Sequence, residues 1–212
     1  EAGATVTAAI RQFGPDLIAM PSLHDRHPDH SAAHVLVRLA LADRVAPPAL
    51  FMYLVHGQPY DGDCVRIEGT PGQLSAKWAA LQAYRSQMAL SSRRLCRLVE
   101  RPERYVVQHG ERHSSCVALP WQPPRCLQAW LQLGVVAPAS ARCWAWQDAP
   151  LRRGPDGRFE LSLPIDQGDG PHFVRLSPRW SSPWIFDHWG WCELQAHRDS
   201  PCAAVAQADR PS

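Results

Sequence analysis

Lysine is nearly missing from this 212-residue chain, with Lys77 alone among 22 basic residues. The 20 acidic residues almost cancel the basic ones, leaving a formal net charge of +2. That balance excludes both a broad basic surface for nucleic acid and an acidic solvating tail, so nucleic acid is not an expected partner. No apolar run approaches the roughly 20 residues needed to cross a bilayer, and the first residues lack a charged segment followed by an apolar one. No membrane span is expected, and a cytoplasmic location is the default. The seven cysteines are odd in number and never spaced C-x-x-C, which argues against a disulfide framework and a zinc ribbon. The G-x-S-x-G elbow of serine hydrolases and the H-E-x-x-H of zincins are absent as well. No internal repeat is visible.

What is present is enough apolar material for a core, since 45% of the residues are hydrophobic. Residues 1–13 place Val6, Ile10 and Phe13 at helical spacing and stop at Gly14-Pro15. Residues 16–20 form a short apolar run suited to a buried parallel strand. A helix over residues 30–45 follows, with Asp29 as its N-cap, and then an apolar strand over 50–55. A short strand at 64–67 precedes Thr70-Pro71, which opens a long helix running to about Val99 with Leu74, Trp78, Leu81 and Met88 on one face. Helices alternating with apolar strands are α/β grammar. After about residue 105 proline, glycine and tryptophan become dense. Short alternating stretches at 142–146, 158–163, 172–176 and 191–194 read as antiparallel strands, with a turn at Gly154-Pro155-Asp156-Gly157. The expected division is an α/β unit over 1–110, a tryptophan-rich β extension over 111–200 and a disordered tail over 201–212.

Four of the ten histidines fall between His24 and His34. They follow the first expected strand and precede a helix, the position at which open α/β sheets bind ligands. In His27-Pro28-Asp29-His30, the spacing lets His30 offer a neutral imidazole to a metal from the start of the helix while His27 points into the same crevice. Asp29 is placed to orient either imidazole, and a carboxylate beside His27 would favour its protonated form, suited to oxyanion stabilisation or proton donation. The competing readings are a polar turn of solvated histidines, and a metal pair His30/His34 at i, i+4. His109 and His113 form a further H-x-x-x-H pair in a polar loop.

The order of these segments resembles the later half of the PIG-L/LmbE-like zinc-dependent N-deacetylases. The resemblance rests on the strand before H-P-D-H, the Ala/Val-rich helix, the strand Phe51 to His56, and Lys77 followed by Tyr84-x-Ser86-Gln87-Met88. It covers about residues 1–105. It implies a Rossmann-like three-layer fold and hydrolysis of an N-acetyl group on an amino sugar or glycoconjugate, a small-molecule partner. It further implies Zn2+ with His30 as a ligand, His27 as acid or oxyanion stabiliser, and Asp29 as the partner of His27. Asp25 and Arg26, in the same loop, are candidate substrate contacts. The family's earlier H-P-D-D-E-type motif, which supplies the other ligands and the base, is not found in these residues. The chain is therefore expected to be the C-terminal portion of a longer enzyme and inactive alone. A non-catalytic sugar-binding module and an inactive remnant are the alternatives.

Eight of the nine tryptophans follow residue 120. Trp144 and Trp146 are expected to be buried together in a small β core, and the stretch from Trp184 to Trp191, with Asp187 and His188, is the better place for contact with a sugar. The arginines between Arg93 and Arg104 read as a solvated helix end that could also meet an anionic lipid or phosphosugar.

Overall fold

A computed structural model of the chain describes residues 1–57, 64–108, 116–162, 170–180 and 188–194. The described residues form a mixed α/β structure. Its helices are α1 (Ala2–Phe13), α2 (Pro28–Ala40), α3 (Pro71–Ala83), α4 (Arg85–Glu100) and α5 (Arg125–Gln128). Its strands are β1 (Leu17–Pro21), β2 (Ala49–Tyr53), β3 (Val65–Ile67), β4 (Glu103–Gln108), β5 (Cys116–Ala118), β6 (Leu131–Ala137), β7 (Ser140–Ala145), β8 (Leu151–Arg153), β9 (Phe159–Ser162), β10 (Phe173–Pro178) and β11 (Trp191–Glu193). No helix among the described residues is long and apolar enough to cross a membrane.

The chain enters through α1, which ends at Gly14 in the left-handed conformation with φ 59°. A glycine suits that position because a Cβ would clash there. Strand β1 pairs with β2 in parallel from Leu17↔Ala49 to Pro21↔Tyr53, and α2 is the crossover between them. Antiparallel β4 and β3 complete a four-stranded sheet in the order β1-β2-β4-β3. As an edge strand β1 is covered on one face only. Met20 is buried against Leu41 and Leu50 with Ile10, Ile18, Val37 and Met52 around them, whereas Leu17 is 47% exposed. The expected fully buried strand is thus a half-buried one, because α1 and α2 pack on a single side.

Two helix boundaries differ from the sequence reading. Helix α2 starts at Pro28, whose fixed φ suits the first helical turn, so the N-cap is His27 and Asp29 falls inside the helix. The long helix expected from Pro71 to about Val99 is interrupted twice, at Ser91 within α4 (φ −145°, ψ 28°) and at Tyr84 between α3 and α4. Thr70 and Gln73 close a capping box at the start of α3, and at Tyr84 the backbone turns to ψ 60° before α4 begins. No glycine or proline marks that break, so propensity alone misses it.

The main core lies in the second half. Strands β11-β10-β6-β7 form an antiparallel sheet and β5-β9-β8 a three-stranded one. Leu119, Leu131, Leu133, Leu161, Val174 and Leu176 pack together with Trp121 and Trp146, and Trp144 and Trp189 lie against them. The two expected core tryptophans do meet one core, although Trp146 sits in a 3-10 turn (Trp146–Asp148) following β7. The turn at 154–157, with Gly157 at φ 78°, joins β8 to β9 as expected. Residues 201–212 lie outside the described residues.

The halves touch beneath α2. Leu23 and Val35 bury themselves against Phe173, and Arg38 clasps Glu193 with two nitrogen–oxygen contacts of 2.6 and 3.1 Å. Helix α2, which carries the H-P-D-H residues, is therefore held from both sides.

Candidate metal centre

Because β1 and β2 run parallel, their C-terminal ends leave the sheet at the same edge, and the loops that follow are neighbours. One loop carries Ser22 to His27 and the other Leu54 to Gly57. Backbone hydrogen bonds join them: Ser22 N–H donates to the Tyr53 carbonyl at 2.7 Å and Arg26 N–H to the His56 carbonyl at 3.0 Å.

Asp25 is the centre of this junction. Its side chain is fully buried, and its carboxylate accepts the backbone N–H groups of His27 at Oδ1 (3.0 Å) and of Val55 (2.8 Å) and His56 (3.0 Å) at Oδ2. Burial alone would raise its pKa. The backbone bonds from His27, His56 and Val55 and the contact with the His30 imidazole oppose burial and leave the pKa below the ordinary carboxylate value. The group is thus an ionised carboxylate fixed by main chain from both loops. Hydrogen bonds to a charged acceptor contribute about 1.5–3 kcal/mol each, so Asp25 is a brace for the crevice as well as a charge within it.

Three imidazoles surround that carboxylate. His30 Nδ1 lies 3.1 Å from Asp25 Oδ2, and His56 Nδ1 lies 3.4 Å from Asp25 Oδ1. The ring centroids of His27, His30 and His56 are 4.8, 5.2 and 5.4 Å apart in pairs. His30 Nδ1 is buried and out of line for a hydrogen bond to Asp25 despite the short distance. The His56 pKa is lowered, chiefly by burial and then by the Arg94 charge, with Asp25 opposing, which favours a neutral imidazole.

A donor set of this kind fits a divalent metal. Asp25, His30 and His56 each offer one ligand atom, all within 4.8 Å of one another. Tetrahedral zinc with bonds of about 2.0–2.2 Å needs donor–donor edges of roughly 3.3–3.6 Å, and the two imidazoles stand 3.1 and 3.4 Å from the two oxygens of the one Asp25 carboxylate. A buried imidazole nitrogen 3.1 Å from an ionised carboxylate is a pair that a cation can share.

The residues singled out from the sequence take different places. His27 caps α2 through Nδ1, which accepts the Asp29 backbone N–H at 3.2 Å. With that lone pair occupied, the proton of the neutral ring belongs on Nε2. It is the Asp29 main chain that orients His27, since the Asp29 carboxylate is 3.9 Å away and 89% exposed. Arg26 is exposed at the mouth of the crevice, whereas Asp25 faces inward. His34 is buried on the inner face of α2, with Nδ1 3.1 Å from the Pro21 carbonyl and Phe173 against its ring edge. Its pKa is pushed down to about 4, mainly by burial, so it is a neutral core histidine and not a partner of His30. His109, His113, Trp184 and Asp187 lie outside the described residues.

Sequence reasoning gave His56 no role. The available signal was its place just past the end of a strand parallel to the one feeding the H-P-D-H segment. No protein-family model, curated protein or solved structure matches the chain.

Proposed function

We propose that this chain supplies the metal-binding and oxyanion-stabilising side of a zinc-dependent N-deacetylase acting on an N-acetylated amino sugar or glycoconjugate, built on a Rossmann-like sheet as the resemblance to PIG-L/LmbE-like enzymes implies. The observation that carries the reading is the convergence of Asp25, His30 and His56 on one point beside His27. A divalent metal bound there would polarise the amide carbonyl and lower the pKa of a bound water.

The chain's own residues have separable tasks. Asp25 contributes the negative charge and holds the two loops in register. His30 and His56 offer uncharged nitrogen donors. His27, with its proton on Nε2, is suited to donate a hydrogen bond to the oxyanion of the tetrahedral stage. Asp29 sets the His27 ring through its backbone N–H. The resemblance implies that the family's earlier motif supplies the water-activating carboxylate, which would then pass the proton taken from water to the departing amine.

The experiment is metal analysis of the full-length protein purified without chelators, together with acetate release from N-acetylated amino sugars. Bound zinc and acetate release, both lost in His30→Ala, support the reading. A protein without metal, or one whose hydrolysis survives His30→Ala, contradicts it. A sugar-binding module is the second reading, favoured by the exposed Trp130–Trp180 pair, whose ring centroids are 4.4 Å apart.

A further inference from the structure

Beside the histidines, a cavity of about 460 Å³ opens between the two loops and α4. Arg26, Arg94, Arg97 and Arg101 line it together with His56, and among the described residues no acidic side chain does. The three arginines of the α4 region stand at i, i+3 and i+7, a spacing that gathers them on one side. Arg26 reaches the same space from the residue preceding His27. Among the described residues none of the four guanidinium groups is in an ion pair with a carboxylate. Arg94 donates through Nη2 to the Val55 carbonyl at 3.0 Å, which ties it to the loop bearing His56. Of the nearby acids, Asp25 is engaged by backbone N–H groups and Glu103 by Lys77 at 2.7 Å, while Glu100 is exposed at the end of α4 and does not line the cavity.

Four guanidinium groups around one concavity, with no carboxylate partner among the described residues, repel each other unless an anion joins them. Guanidinium pairs with planar or tetrahedral oxyanions through paired N–H donors, the recognition mode for phosphate and carboxylate. With a formal net charge of only +2 the chain is not broadly basic, so four arginines at one concavity are a local concentration of charge. Confinement favours a small anionic molecule over an extended polyanion or a lipid surface. The volume lies in the range of small-molecule sites.

We infer that this arginine-lined cavity is an anion subsite that takes a phosphate or carboxylate group of the substrate, with His56 forming the wall shared with the metal centre. The position of the anion next to the scissile amide rests on the deacetylase reading, whereas binding of the anion does not.

The test is calorimetric binding of inorganic phosphate and of malonate to the full chain at about 0.15 M ionic strength. Wild type is compared with the double variant R97Q/R101Q, with Arg11→Gln on α1 as the control and circular dichroism to verify folding. Tighter binding of one probe identifies the source of the anion as phosphate or carboxylate. The double variant is expected to bind roughly 100-fold more weakly, about tenfold per arginine, with its metal content unchanged. His30→Ala should lose metal and keep phosphate or malonate binding. Anion binding by a wild-type protein that holds no metal would leave the subsite standing and remove the deacetylase reading. Absence of binding to both probes, equal loss in Arg11→Gln, or binding only to anionic vesicles or oligonucleotides would overturn the inference.

Discussion

His30 Nδ1 and Asp25 Oδ2 stand 3.1 Å apart in a buried site, with the carboxylate oxygen already accepting the backbone N–H groups of Val55 and His56. The pair links two loops, one helix terminus and one candidate metal position. A change at Asp25 therefore has to be felt in both stability and metal binding.

Asp25→Ala is expected to destabilise the chain by about 3 kcal/mol or more, because three backbone donors lose their acceptor inside the fold. Urea unfolding at neutral pH measures this. Asp25→Asn keeps the volume and should recover part of the stability, but not metal affinity, since it lacks the charge. A loss below about 0.5 kcal/mol for Asp25→Ala, the size of an ordinary surface substitution, would mean the brace does not exist.

His34 predicts an acid-sensitive window. Its folded-state pKa of about 4 is below the ordinary value of 6.5, so between those values the unfolded chain binds the proton that the folded chain refuses. Its effect on stability is absent above pH 6.5 and grows as pH falls toward 4, amounting to about 3 kcal/mol at the lower end. His34→Gln should flatten the stability profile across that window. An unchanged slope would assign the acid sensitivity to other groups.

Arg38 and Glu193 fasten α2 to β11 through two contacts in a largely buried pair. Removing one partner leaves the other charge without compensation, so Arg38→Ala is expected to cost about 2–3 kcal/mol and Glu193→Ala a similar amount. The double variant should cost less than the sum of the two, and a double-mutant cycle reads the coupling directly. Strict additivity would indicate that the halves are held by Phe173 packing alone.

The sequence revealed some of this through particular residues. Gly14-Pro15 marks the end of α1, the apolar run after it marks β1, and the glycine turn at 154–157 marks the β8–β9 hairpin. His27 and His30 stood out by spacing. From the sequence Asp25 reads only as a substrate contact and His56 carries no role, because their places in the site depend on a pairing of two loops 30 residues apart, which only the parallel register of β1 and β2 creates. Strand β6 escaped notice for a similar reason. Leu131, Leu133 and Val135 gain their meaning as buried positions from the strands on either side, β10 and β7. The capping role of His27 was hidden because the apolar pattern starts late, whereas Pro28 had already opened the helix.

The most direct measurement of the central claim is the metal content of the chain and of three single variants, Asp25→Asn, His30→Ala and His56→Ala, after dialysis against zinc. The account predicts about one zinc ion per wild-type chain and a steep loss of affinity in each variant, with His34→Gln retaining the metal. Full metal content in His56→Ala, or none in the wild type, would contradict it.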